Sequence, residues 1–333
     1  MRILSIDGGG YLGLATASFL NAMEQRYGAR AADRFDLFCG TSTGAIIALA
    51  LAKGMSAAEV VTLYEELGPK VFQRAPLHER VVPFFRTLRA VPGALHDNAP
   101  LAAALTNAFG TMTLGDLRLR GKTVLIPAFN LTAGRPTIFK TDHGAGLRAH
   151  DRYLLRDIAL ASSAAPKYLP LVELTDPVTG SIERYCDGGV VANSPALLGY
   201  AEAVSHLGIS PTDLEILSLG TPRENLSEPL SSLTWAQRKL ARGLWGWGLG
   251  ERIISLAIDG GAMVSDTALL RIAQAAGARY ERISLAQPAG VGLDIATTQA
   301  TRTLTQLGAE KARVAAVQRA VAPFFIDENM EAA

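Results

Sequence analysis

Apolar and polar positions along the chain fall into short apolar runs separated by stretches of roughly helical period. Ile3, Leu4 and Ile6 form a run that stops at Asp7-Gly8-Gly9-Gly10, after which Leu14, Phe19, Leu20 and Met23 keep helical spacing as far as Tyr27-Gly28. A second run, Phe35, Leu37 and Phe38, breaks at Cys39-Gly40-Thr41-Ser42-Thr43-Gly44 and passes straight into Ala45-Ile46-Ile47-Ala48-Leu49-Ala50-Leu51, the pattern of a strand, a tight turn and a helix. Residues 57–67 and 101–109 predict further helices. Residues 123–129 and 137–139 predict strands on either side of the turn Ala133-Gly134-Arg135-Pro136. Residues 154–165 are rich in small side chains and predict a helix that Pro166 closes. A strand then runs into Asp187-Gly188-Gly189, Pro195 opens a helix over 196–206, and residues 214–219 predict one more strand. Between 71 and 95 the pattern is mixed: Val81, Val82, Phe84, Phe85, Leu88 and Val91 alternate with Arg80, Arg86 and Arg89, either a helical segment packed on the core with solvated arginines or a lid or membrane-contacting flap. Strands separated by helices imply an α/β fold on a mainly parallel sheet, with its loops gathered at the strand ends.

Composition narrows the picture. The 333 residues are 49% hydrophobic, ample for one large core, and divide into a catalytic stretch, 1–222, and a helical C-terminal extension, 223–333, expected to pack on the same domain. A net charge of +1 with scattered acids and bases argues against a nucleic-acid polymer as partner and leaves any membrane contact to a local patch. Two cysteines make no disulfide framework, no basic leader precedes the first strand, and 18 apolar residues never run uninterrupted. A soluble cytoplasmic protein is the expectation.

The candidate chemistry lies at three strand ends. Ser42 sits in G-x-S-x-G, where Gly40 and Gly44 let strand and helix approach and the serine stands at a helix N-terminus that favours developing negative charge. Gly8, Gly9 and Gly10 leave main-chain N–H groups unshielded, as a loop that cups an oxyanion or a phosphate requires. Gly8, Gly10 and Gly13 also satisfy the dinucleotide pattern G-x-G-x-x-G, but the acidic residue that pattern needs after a second strand is misplaced at Asp33 or Asp36. Asp187-Gly188-Gly189 is a third strand end; taken alone, Asp-Gly is an ordinary turn. No cluster at metal-ligand spacing occurs, so neither metal nor cofactor is expected.

The order Asp7-Gly8-Gly9-Gly10-Tyr11-Leu12-Gly13, Gly40-Thr41-Ser42-Thr43-Gly44 and Asp187-Gly188-Gly189 resembles the patatin-like phospholipase family, as do Ala164-Ala165-Pro166, Ala192-Asn193-Ser194-Pro195 and Leu217-Ser218-Leu219-Gly220-Thr221. The resemblance implies a three-layer α/β/α fold and hydrolysis of phospholipid acyl esters. It makes Ser42 the nucleophile, Asp187 its partner in a dyad, and Gly8, Gly9 and Gly10 the oxyanion donors. Gly13, Gly40, Gly44, Gly188 and Gly189 are the supporting glycines. An aspartate serving as base calls for a raised pKa in a dry site, which Val190 and Val191 could help to supply. Leu12 departs from the family, which usually has a basic residue there. The rival hydrolase reading is a Ser42-Asp187-His206 triad, although His206 next to Gly208 also suits an ordinary helix end. A catalytically silent binding module is the reading from another class.

Two expectations concern partners. Trp235, Arg238, Arg242 and Trp245 share one stripe if that stretch is helical, and suit either a peripheral contact with the inner membrane surface or a core or subunit contact. Some bacterial patatin-like enzymes of this size resemble antiphage effectors switched on by cyclic nucleotides. That likeness implies a cyclic oligonucleotide activator with a change of homo-oligomeric state, and the densest basic clusters open to such an anion are Arg80, Arg86 and Arg89, or Arg238, Lys239 and Arg242. A constitutive lipid acyl hydrolase is the alternative.

Overall fold

The computed structural model describes residues 1–72, 93–142, 150–233 and 251–326, together with Arg238, Gly243 and Trp247. Arg80, Arg86, Arg89, Trp235, Lys239, Arg242 and Trp245 lie outside the described residues. Among the latter, eight strands form one sheet: β1 (Arg2–Ile6), β2 (Leu37–Gly40), β3 (Thr123–Asn130), β4 (Arg135–Lys140), β5 (Val172–Thr175), β6 (Ile182–Cys186), β7 (Glu215–Leu219) and β8 (Arg279–Ile283). Their spatial order is β5-β6-β3-β2-β1-β7-β8, with β4 paired to β3 off that path. β3, β2, β1, β7 and β8 run parallel; β4 and β6 are antiparallel to β3, and β5 to β6. Ile6 is in register with Gly40 on one side and Leu219 on the other, so Asp7, Thr41 and Gly220 leave the sheet side by side.

Alternate side chains of the central strands feed two apolar layers. Leu4, Ile6, Phe38, Val124, Ile126, Leu217 and Leu219 face the larger one, and Ile3, Leu37, Cys39, Leu125 and Ile216 the other. Burial on both faces is the reason these strands read as near-continuous apolar runs instead of alternating ones. The larger layer is built with α1 (Gly13–Tyr27), α2 (Ala31–Arg34), α3 (Thr43–Lys53), α4 (Ala57–Val71), α5 (Ala99–Phe109), α6 (Leu114–Leu119) and α7 (Leu155–Ser162). After α8 (Gly189–Ala192), the opposite face is covered by α9 (Ala196–Ser205) and α10 (Glu251–Ala276), which contribute Ala196, Ala203 and Leu269. The result is the three-layer α/β/α architecture. Glu24 of α1 ties two helix starts together by accepting the Ala31 and Ala57 N–H groups, while Ser56 and Glu59 close a capping box on α4.

The stretch after 222 does more than add helices. It supplies β8 to the sheet, an edge strand whose sequence RYERI carries no apolar run and so was not among the predicted elements. α11 (Thr298–Arg313) and α12 (Ala315–Phe325) return to the larger layer, where Phe324 stacks on Phe35 with ring centroids 6.1 Å apart. α11 lies so close to α1 that a Cβ on Gly308 would fall on the Ala15 carbonyl oxygen. Within α10, residues Arg252–Ala276 are long and apolar enough to cross a membrane by length and composition, with a mean hydropathy of 1.5.

Replacing Gly308 by Val is expected to push α11 off α1 and lower stability by about 1–3 kcal/mol, read as a fall in the thermal midpoint; an unchanged midpoint would show that this close approach carries no weight.

Candidate active site

The turn between β2 and α3 holds Ser42 at φ 55°, ψ −123°, in the left-handed half of backbone space that a side chain rarely occupies. Such a conformation costs on the order of 1–3 kcal/mol and persists only where its surroundings over-determine it. They do so here. A Cβ on Gly40 would meet the Gly44 carbonyl oxygen, and one on Gly44 would meet the carbonyl oxygen of Ile6, so the two glycines of the motif are there because main chain passes where side chains would be. Ser162, fully buried at the end of α7, braces the turn: its hydroxyl accepts the Ser42 N–H at 3.0 Å and donates to the Pro127 carbonyl at 2.7 Å, and its own carbonyl accepts the Gly188 N–H at 3.0 Å.

Ser42 and Asp187 are 145 residues apart in sequence and meet at the ends of β2 and β6. The Ser42 hydroxyl donates to Asp187 Oδ2 at 2.7 Å, while Oδ1 accepts the Gly189 N–H at 2.6 Å. The carboxyl is almost entirely out of water, and loss of hydration pushes its pKa up to about 6, the hydrogen bonds from Ser42 and Gly189 pulling the other way. Val190 does not supply the dryness expected of it, being 45% exposed. The carboxyl is enclosed by Ser42 and by its own main chain, whose N–H at Asp187 reaches the Ala164 carbonyl at 3.0 Å.

The glycine loop closes over the serine, a Cβ built on Gly8 standing 3.3 Å from that of Ser42. Its three N–H groups are not equivalent. Gly8 N–H already donates to the Asn193 carbonyl at 3.1 Å, whereas the N–H groups of Gly9, Gly10 and Thr43 have no hydrogen-bond partner among the described residues. The expected trio of glycine donors is thereby narrowed to Gly9 and Gly10, with Thr43 at the start of α3 as the further candidate. The loop is anchored from the far end of the chain. Thr221 Oγ1 donates to the Gly8 carbonyl at 2.5 Å and the Leu293 carbonyl accepts Tyr11 N–H at 2.7 Å. Gly10, at φ 56°, leaves room for that carbonyl. Asp7, fully buried just ahead of the loop, is gripped by Arg223 and by Arg282, the latter 2.9 Å away through Nη1. Asp266 and Asp259 of α10 stand 3.3 Å from Arg282 and 3.7 Å from Arg223.

Ser42, Asp187, Gly8, Gly9, Gly10, Thr43 and Gly189 line one cavity of about 710 Å³. A hydroxyl bonded to a carboxylate of raised pKa, beside unpaired main-chain donors at a helix N-terminus, is equipped for nucleophilic attack on a carbonyl carbon. Gly13 begins α1 and Gly188 packs on the Pro127 carbonyl, both behind the site. His206 is not part of it: its ring is half exposed, 3.6 Å from Glu202, and no histidine is among the described residues lining the cavity. The dinucleotide reading fails on topology, because Asp36 caps the opposite end of β1 by accepting the Arg2 N–H at 2.8 Å. Arg238 is exposed and donates to the Leu233 carbonyl at 3.2 Å, away from the cavity lining.

Comparison with known proteins gives a coherent result. The family model described as patatin-like phospholipase matches residues 4–200. A protein of Pseudomonas aeruginosa named cGAMP-activated phospholipase is 37% identical over 76% of this chain and 71% of its own length. Proteins of the same name from Vibrio cholerae and Escherichia coli are 36% and 32% identical, each over 81% of this chain and over 77% and 75% of their own lengths.

The buried Asp187 leaves a thermodynamic mark. Its folded-state pKa lies above the unfolded 3.8, so whatever it contributes to stability is present below that value and is lost as pH rises through about 6. At neutral pH the ionised carboxylate then costs about 3 kcal/mol. Asp187→Asn, which removes the charge while its Oδ1 still accepts the Gly189 N–H and its Nδ2 donates to Ser42 Oγ, is expected to raise the thermal midpoint at pH 8 and not at pH 4; an equal or lower midpoint at pH 8 would contradict the burial argument.

Proposed function

The chain belongs to the patatin-like phospholipase family, and from that premise we propose that it hydrolyses acyl ester bonds of membrane phospholipids with Ser42 as nucleophile and Asp187 as general base. The observation that carries this reading is the buried 2.7 Å hydrogen bond between the two side chains at a strained turn. Ser42 Oγ attacks the ester carbonyl carbon as its proton passes to Asp187 Oδ2. The tetrahedral oxyanion is held by the N–H groups of Gly9, Gly10 and Thr43, each donor typically worth about 10²–10³ in rate. Collapse expels the alcohol of the lysolipid, which takes the proton from Asp187, and water then releases the fatty acid from the acyl-serine by the same two proton transfers. A carboxyl of pKa near 6 is suited to both roles, being ionised at neutral pH yet a stronger base than a solvated aspartate.

The same proposal extends to control. Relatives at 32–37% identity over most of this chain are named for activation by cGAMP, which supports a cyclic dinucleotide as activator here. We place the enzyme in the cytoplasm, acting on the inner membrane surface when that ligand favours an active conformation or assembly over the resting one. A link to antiphage defence belongs to this reading.

Ser42→Ala and Asp187→Asn are each expected to lower phospholipid hydrolysis by at least about 10³-fold while His206→Ala keeps wild-type rates, measured as fatty acid released from vesicles. Loss of activity in His206→Ala with the fold intact would favour a triad instead. Adding cGAMP is expected to raise the wild-type rate at least tenfold and to change the sedimentation coefficient. Full activity without ligand, unmoved by cyclic dinucleotides, would leave a constitutive acyl hydrolase.

A further inference from the structure

The cavity at Ser42 has two chemically different walls. One is contributed by the loop before α1 and by α3, α4 and α5: Leu12, Ile46, Tyr64, Leu67, Val71 and Leu101. All six are at most 6% exposed, and the one polar atom among their side chains, the Tyr64 hydroxyl, is used up within the protein, donating to the Thr43 carbonyl at 2.8 Å. The other wall comes from the stretch after β7 and from α10, where Arg223, Glu224, Arg252 and Asp259 lie beside Ile254 and Ile258. Its charges are fixed by ion pairs: Arg223 with Asp7 and Asp259, Arg252 with Glu228 at 2.9 Å.

We propose that the scissile acyl chain of the phospholipid lies along the wall of Leu12, Ile46, Leu67, Val71 and Leu101, with the glycerophosphate part on the wall of Arg223 and Arg252, so that the first wall sets acyl-chain preference. This rests on the hydrolase reading above and specifies how its substrate is oriented. Three observations carry it. Ile46 follows Ser42 by one turn of α3, and Tyr64 is bonded to the residue next to the nucleophile, so the apolar wall begins where the acyl carbonyl must sit. Laying hydrocarbon on the opposite wall would strip water from ion pairs whose solvation it could not replace, whereas a phosphodiester headgroup keeps polar contacts there. Leu12, 1% exposed and in the cavity lining, continues the apolar wall up to the loop that carries the Gly9 and Gly10 donors.

Each methylene buried along such a wall raises kcat/KM by up to about fourfold, so the readout is the ratio of kcat/KM on p-nitrophenyl dodecanoate to that on p-nitrophenyl butyrate, measured with and without cGAMP. Leu101→Trp, which fills the wall, is expected to lower that ratio at least tenfold, and Leu101→Ala, which opens it, to hold or raise the ratio for the hexadecanoate ester. Val71→Phe is expected to act like Leu101→Trp and serves if the latter does not fold. Ile258→Trp, on α10 beside the charged wall, is expected to leave the ratio at its wild-type value. A ratio that falls with Ile258→Trp and not with Leu101→Trp or Val71→Phe would place the chain on the opposite wall and overturn the proposal, as would a ratio unmoved by any of the four. Wild-type protein inert on every ester, with and without cGAMP, would instead overturn the hydrolase reading on which this rests.

Discussion

The structure turns on holding one carboxylate out of water against one hydroxyl. Asp187 can serve as a base only if hydration does not stabilise its charge too well, and it can stay ionised at neutral pH only if a few hydrogen bonds replace what water supplied. The fold meets both conditions with the 2.7 Å bond from Ser42 and the 2.6 Å bond from Gly189, leaving the pKa near 6. The bond from Ser42 does not survive a shift of β2 against β6, which are separated in the sheet by β3. Ser162 is the brace for that distance, since its hydroxyl and carbonyl engage the nucleophile's main chain, β3 at Pro127 and the residue after Asp187.

The second requirement, a place for negative charge on the substrate, draws on a different part of the chain. The family model matches residues 4–200, yet the glycine loop is held by Thr221, Leu293, Arg223 and Arg282, all beyond that span. A fully buried Asp7 would be costly without its two arginines, and they in turn are paired with the aspartates of α10. The loop's position therefore depends on β8 and α10 being docked. Under the regulated reading, this dependence gives an effector acting on the C-terminal stretch a physical route to the catalytic centre.

Local patterns made much of this legible in advance. The Gly40-Thr41-Ser42-Thr43-Gly44 turn, the glycine triplet and Asp187-Gly188-Gly189 each reflect a steric demand that the residues themselves must satisfy, and the strand-helix alternation around them follows from burial on both faces of a parallel sheet. Long-range relations were not legible. β8 has no apolar run because it is an edge strand, so nothing announced that Arg282 would reach Asp7. Ser162 lay inside a stretch recognisable only as small and helical. Gly8 looked equivalent to its neighbours until Asn193 was seen to occupy its N–H. Val190 looked like part of a dry wall, but on the short helix α8 it is 45% exposed.

The dyad itself is tested most directly by the rate at which a fluorophosphonate labels the protein as pH is varied, with the labelled peptide mapped by mass spectrometry. The account predicts a single adduct on Ser42, formed at a rate that rises through a midpoint near pH 6 as Asp187 ionises and that collapses in Asp187→Asn. An adduct on another serine, or labelling of Ser42 whose rate and pH dependence are unaffected by Asp187→Asn, would contradict it.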